Sequence, residues 1–86
     1  MATKTTRRRQ QPKRLPKKLL AIRKELGLSQ TEMAKQLQLK KAYTVISGYE
    51  RGAREPDLLT LLRYARLANV TIDLLVDDNV DLFKKE

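Results

Sequence analysis

Neither cysteine nor histidine occurs anywhere in the 86 residues of this chain. Without cysteine there is no disulfide framework and no thiolate metal site. Without histidine as well, the usual general base, activated thiol and zinc ligands are all missing, so no enzyme, metal or cofactor is expected. No apolar run approaches the roughly 18 residues needed to cross a bilayer. The basic start of the chain is not followed by the apolar stretch of a secretory leader. The expectation is a soluble cytoplasmic protein with one compact domain, whose modest core leaves no room for a deep substrate pocket.

Acid is absent from the first 24 residues, which hold ten Lys or Arg. The other 62 residues hold nine basic and ten acidic side chains, so the net charge of +9 sits almost wholly in the leading segment. A block of like charge repels itself, tends to stay open and attracts polyanions such as nucleic acid. A solubilising tail or targeting stub is the plainer reading. Residues 1–14, MATKTTRRRQQPKR, show no apolar periodicity and are read as a disordered basic arm. The arm has no apolar face, which makes binding to a membrane surface the weakest of the readings.

Beyond the arm, apolar residues recur at spacings of three and four, and no stretch alternates with period two. Pro16 suits a first helical turn; Leu19, Ile22 and Leu26 form one stripe; Gly27 is placed to end the helix. Ser29 with Glu32 has the spacing of a capping box, and Met33, Ala34 and Leu37 follow as a buried face. A third helix is expected from about Tyr43 to Arg51, with Ile46 and Tyr49 facing inward, before the punctuation of Gly52 and Pro56. Asp57 is the expected cap of a fourth helix with Leu58, Leu61, Leu62 and Ala65 on its stripe, ending at Asn69. Thr71 is the expected cap of a last short helix whose Leu74 and Leu75 point inward. The expected fold is all-α, with five helices in residues 15–77 and an acidic extension over 78–86.

The ordered segments GLSQTEMAKQL, ISGYERGAREPDLLTLLRYA and NVTIDLL resemble the Cro and phage-repressor (Xre) family of helix-turn-helix proteins across residues 17–76. The resemblance implies a lambda-repressor-like domain that binds double-stranded DNA as a transcriptional regulator, in a bacterial or phage-like setting close to the nucleoid. Ser29 and Gln30 then open the scaffold helix, where free N–H groups favour a phosphate and the Gln30 amide can add a bond. The family's base-facing positions fall on Tyr43, Thr44, Ser47 and Gly48 of the third helix. None of these is a bidentate reader such as Arg or Asn, so direct readout is expected to be sparse. The family also pairs the acid at Glu50 with an arginine of the first helix, which here is Arg23.

This chain departs from the family in one place, being two residues longer between Leu37 and Ile46. The turn carries Gln38 where Gly is usual, and the added length brings Lys40 and Lys41 to the rim of the expected groove. Arg51 and Arg54 are expected on the DNA backbone, whereas Arg63 and Arg66 read as solvated charges. Arg7, Arg8 and Arg9 of the arm are expected to reach a groove or phosphates. A homodimer on a two-fold site would cover Leu59, Leu67, Val76, Val80 and Phe83, unless the tail folds back over its own helices. A protein-interaction module on the same fold, such as an antitoxin or adaptor with a partner at the acidic C-terminal segment, is the alternative.

Overall fold

A computed structural model describes residues 11–40 and 43–82. Five helices follow one another: α1 Leu15–Leu26, α2 Gln30–Gln36, α3 Tyr43–Arg51, α4 Leu58–Ala68 and α5 Ile72–Val76. There is no strand among the described residues.

Local chemistry accounts for most of the boundaries. Ser29 Oγ accepts from the Glu32 N–H at 3.0 Å while the Glu32 carboxylate accepts from the Ser29 N–H at 2.8 Å, completing the expected capping box. Asp57 caps α4 by accepting from the Thr60 N–H at 2.9 Å. Thr71 stands at the head of α5, but its hydroxyl engages the Asp73 carboxylate and makes no backbone cap.

The four longer helices all end the same way, with a left-handed residue and two reversed backbone bonds, a Schellman closure. Gly27, Gln38, Gly52 and Asn69 take that position, with φ of 70°, 60°, 80° and 60°. The two bonds run from Gly27 to Lys24 and Leu28 to Arg23 after α1, and from Gln38 to Lys35 and Leu39 to Ala34 after α2. Thus Gln38 adopts the conformation for which glycine is the usual residue, and the longer turn still begins as a regular helix stop.

The core is built round α1, which packs on α3, α4 and α5, while α2 rests on α3. Leu15, Leu19, Ile22, Met33, Leu37, Ile46, Tyr64 and Leu75 are fully enclosed. Burying one such aliphatic side chain is worth about 1.5–3 kcal/mol. Tyr49 and Tyr64 meet edge to face with ring centroids 6.4 Å apart, and burial pushes both phenols above their ordinary pKa. Three stripe positions differ from expectation: Leu58 is 71% exposed, Leu26 is 37% exposed, and Leu62 is half-buried outside the core cluster. The buried side of α4 is made instead by Thr60, Leu61, Tyr64 and Ala65.

The ends of the described chain depart most from the sequence reading. Residues 11–14 were assigned to the arm and 78–82 to an extension, yet the two segments are hydrogen-bonded to each other. The Asp78 carboxylate accepts from the N–H groups of Lys13 and Arg14, both at 2.9 Å. The Arg14 guanidinium donates to the Asp78 carbonyl at 2.9 Å and to the Asp81 carboxylate at 2.6 Å. Lys18 is buried, and its Nζ donates to the carbonyls of Leu74 at 2.7 Å and Asp77 at 2.8 Å, closing the end of α5. Burial, then the neighbouring Arg14 charge, lowers the Lys18 pKa below its ordinary value. Leu82 joins the core. Residues 1–10 of the expected arm lie outside the described residues, as do Lys41 and Phe83.

Candidate nucleic-acid interface

α3 carries two distinct faces because its apolar and polar residues are segregated at helical spacing. Val45, Ile46 and Tyr49 are buried, while Tyr43, Thr44 and Arg51 are exposed and Ser47 is half-buried. Tyr43, Ser47 and Arg51 are spaced by four, so they line one side of the helix. Tyr43 is 52% exposed and does not pack into the domain. The Arg51 Nε donates to Ser47 Oγ at 3.1 Å, so the two side chains form one polar unit one turn apart.

The inner side of α3 is fixed by a charged cluster. Arg23 meets Glu50 through two bonds, Nε to Oε2 at 2.7 Å and Nη2 to Oε1 at 3.1 Å, and its Nη1 donates to the Leu28 carbonyl at 3.0 Å. The bond to Glu50 is the main cause that raises the Arg23 pKa above its ordinary value. The Gln30 Nε2 adds a third bond to Glu50 at 3.1 Å. Here the structure modifies the expectation for Gln30: the amide donor assigned to a phosphate is engaged with Glu50. One carboxylate on α3 thereby ties together the end of α1 and the start of α2.

The structure modifies the expectation for Gly48 as well. It was placed among the base-facing residues, but it is buried. A Cβ built there would lie 3.0 Å from Arg54 Cδ and 3.1 Å from Arg54 Cγ, so the arginine stem lies over the bare backbone. The loop also turns back at this point. The N–H groups of Ala53 and Arg54 both donate to the Gly48 carbonyl, at 2.9 Å and 3.1 Å.

Lys40 is exposed on the turn between α2 and α3. Arg63, read as a solvated charge, instead donates through Nη1 to the Leu37 carbonyl at 3.0 Å and so braces the far end of α2. The sequence carried no local sign of that bond or of Lys18, because both join residues far apart in the chain. A glycine inside an amphipathic helix was the available sign for Gly48, since it points to close approach of another group. Among the described residues no cluster of acidic side chains could hold a metal, and no helix is long and apolar enough to cross a membrane.

A family model described as helix-turn-helix matches residues 19–75. Antitoxin HigA1 of Mycobacterium tuberculosis (strain ATCC 25618 / H37Rv) is 35% identical over 68 residues, covering 79% of this chain and 44% of that protein. The HTH-type transcriptional regulator ImmR of Bacillus subtilis (strain 168) is 39% identical over 62 residues, covering 72% of this chain and 47% of that protein. The chain thus spans less than half the length of these two relatives. Among solved structures, the P22 c2 repressor in complex with a synthetic operator superposes with a TM-score of 0.67 at 24% identity, covering 81% of this chain and 98% of that one. The biofilm regulator SinR in complex with DNA gives a TM-score of 0.63 at 25% identity, covering 73% of this chain and 98% of that one. With the all-α fold, the ordered motifs and the family match in agreement, this chain belongs to the helix-turn-helix family of the Cro and phage-repressor type.

Proposed function

We propose that this chain binds a specific double-stranded DNA site through α3 and regulates transcription from it. The observation that carries the reading is the outward side of α3, where Tyr43 and Thr44 are exposed and Ser47 is half-buried on a helix pinned from behind by Arg23, Glu50 and Gln30. A helix so presented enters the major groove with its N-terminal half at base edges. The hydroxyls of Thr44 and Ser47 bond to bases, and Tyr43 bonds or packs on a thymine methyl. Lys40, Arg51 and Arg54 hold backbone phosphates. Lys41, Arg7, Arg8 and Arg9 lie outside the described residues and join the interface on charge alone. A transcriptional regulator among the relatives, with one repressor–operator complex and one SinR–DNA complex among the similar structures, supports the same assignment.

Binding, not turnover, is the proposed activity, carried out in the cytoplasm beside the nucleoid. Leu58 and Leu59, at 71% and 53% exposed, favour a homodimer on a two-fold site, which sedimentation at micromolar concentration checks. Leu67 and Val76, in contrast, already pack on the core.

Selection of bound sequences from a random duplex library tests the reading. One common site, with the preference for it lost in Thr44→Ala and Ser47→Ala, is expected. Binding that falls with salt but ignores sequence overturns it and favours a protein-interaction module, which the similarity to an antitoxin supports.

A further inference from the structure

We propose that Gly48 is the seat of Arg54, a bare stretch of α3 that holds this arginine in place as a fixed DNA contact. The proposal rests on the DNA-binding reading above and assigns Gly48 a role in it that requires no contact with a base.

Three features converge. A glycine in a helix interior costs about 0.5–1 kcal/mol relative to alanine, and Gly48 lies in the middle of α3 with no positive φ to require it. Its missing side chain brings Arg54 closest: the three heavy atoms nearest to a Cβ there are Cδ, Cγ and Cβ of Arg54, at 3.0, 3.1 and 3.4 Å. The loop backbone is anchored on the same residue, through the bonds from Ala53 and Arg54 to the Gly48 carbonyl. Gly52, with φ of 80°, turns the chain so that this return is possible.

The consequence concerns entropy and position. A free arginine loses much of its rotamer freedom on binding a phosphate, whereas one already laid along a helix has lost part of it beforehand. Gly48 follows Thr44 by four residues and Ser47 by one, so the Arg54 stem is carried on the helix that presents both hydroxyls. The seat therefore delivers a guanidinium to the edge of the surface that faces DNA. The chemical class recognised is a backbone phosphate, since an arginine fixed beside a recognition helix adds charge whatever the base sequence.

A double-mutant cycle tests this, with a mixed-sequence DNA duplex as the probe and the full chain as the protein. Gly48→Ala forces the Arg54 stem to move. It is expected to weaken binding about three- to tenfold, the ordinary effect of releasing one ordered side chain. The same substitution should leave the melting temperature unchanged or raise it, because alanine is the better helix former. An Arg54→Ala background removes the two tightest of these contacts and leaves the Cβ contact at 3.4 Å, so Gly48→Ala folds there and should have no further effect on affinity. Equal losses in the two backgrounds overturn the proposal.

Nitrogen relaxation of the Arg54 Nε–H supplies a readout that needs no DNA. A restrained Nε–H in the native chain that loosens in Gly48→Ala is expected, and equal mobility in both overturns the seat whatever the binding data show. A native chain that binds no duplex, yet shows the restrained Arg54, defeats the DNA-binding reading and leaves the seat as a packing device only.

Discussion

Arg23 and Glu50 meet with side chains only 15% and 5% exposed, whereas Arg14 and Asp81 meet with side chains 43% and 70% exposed. Both contacts tie distant parts of the chain, and both use an arginine on a carboxylate. The difference lies in solvent. The Glu50 carboxylate is withdrawn from solvent and takes two bonds from Arg23 and a third from Gln30. A charge pair placed there contributes little net stability over an apolar pair, but it becomes costly to break because the survivor is stranded. At the chain ends, water and salt compete for every group, so no single loss strands a charge. The inner seam therefore sets how α1, α2 and α3 are oriented, while the outer junction sets how firmly the two ends are held together.

Breaking the seam should produce the largest effect. Glu50→Ala leaves the Arg23 guanidinium buried beside the Leu28 carbonyl with no carboxylate, and a loss of about 3–5 kcal/mol is expected in urea unfolding. Replacing both partners, as in Arg23→Met with Glu50→Leu, should recover most of that loss. A double variant as unstable as Glu50→Ala alone would mean that the seam adds stability outright, and the distinction drawn between the two junctions would fail.

Lys18 marks the point where the outer junction becomes an inner one. Its side chain belongs to the terminal region, yet it is buried and bonds two carbonyls at the end of α5. Lys18→Met keeps the stem and removes the donor, leaving both acceptors short of a partner. About 1–3 kcal/mol is the expected loss, read by the same unfolding curves. Indifference to this change would show that water satisfies the α5 carbonyls and that the whole terminal region behaves as surface.

The two junctions also differ in how far they were legible beforehand. Arg23 and Glu50 stand at fixed offsets from Gly27 and Gly52, inside an ordered family pattern, so their pairing could be read from the resemblance. The helix starts at Ser29 and Asp57 were legible for a different reason, being local chemistry within three residues. The terminal junction joins residues 64 to 67 apart, with no pattern linking one end to the other. Composition alone assigned the basic end to an arm and the acidic end to an extension, although opposite charge at the two ends was itself a sign that they could meet. On α3 the outward side was legible from periodicity, but the fate of Gly48 depended on where a loop arginine returned, which periodicity does not encode.

Acid should separate the junctions next. Backbone hydrogen bonds from Arg14 and Lys13 hold the Asp78 carboxyl below its ordinary pKa. A carboxyl depressed by folding adds stability that is fully present above the unfolded value, near pH 3.9, and is lost as pH falls through the folded value. Asp78→Asn should therefore flatten part of the fall in stability below about pH 4 and leave the neutral side offset downward. Glu32 and Asp57 are depressed in the same way by Ser29 and Thr60, so some acid sensitivity persists in the variant. Superimposable native and variant curves of stability against pH would remove Asp78 from the junction's energetics.

Salt gives the smallest effect and the most selective one. The Arg14–Asp81 pair is largely solvated, and exposed pairs of this kind are worth about 0–1 kcal/mol at low ionic strength. Arg14→Gln should therefore cost less than any of the changes above, and part of the cost should remain through the lost bond to the Asp78 carbonyl. The part due to charge should vanish at about 1 M salt, where the screening length falls to roughly 3 Å. Glu50→Ala in the same salt should keep nearly its full cost, since its partner is shielded from ions by the fold. Stability measured for the native chain, Arg14→Gln and Glu50→Ala at low and high salt thus gives three differences. If salt reduces the Glu50→Ala difference as much as the Arg14→Gln difference, burial is not what distinguishes the seam from the terminal junction.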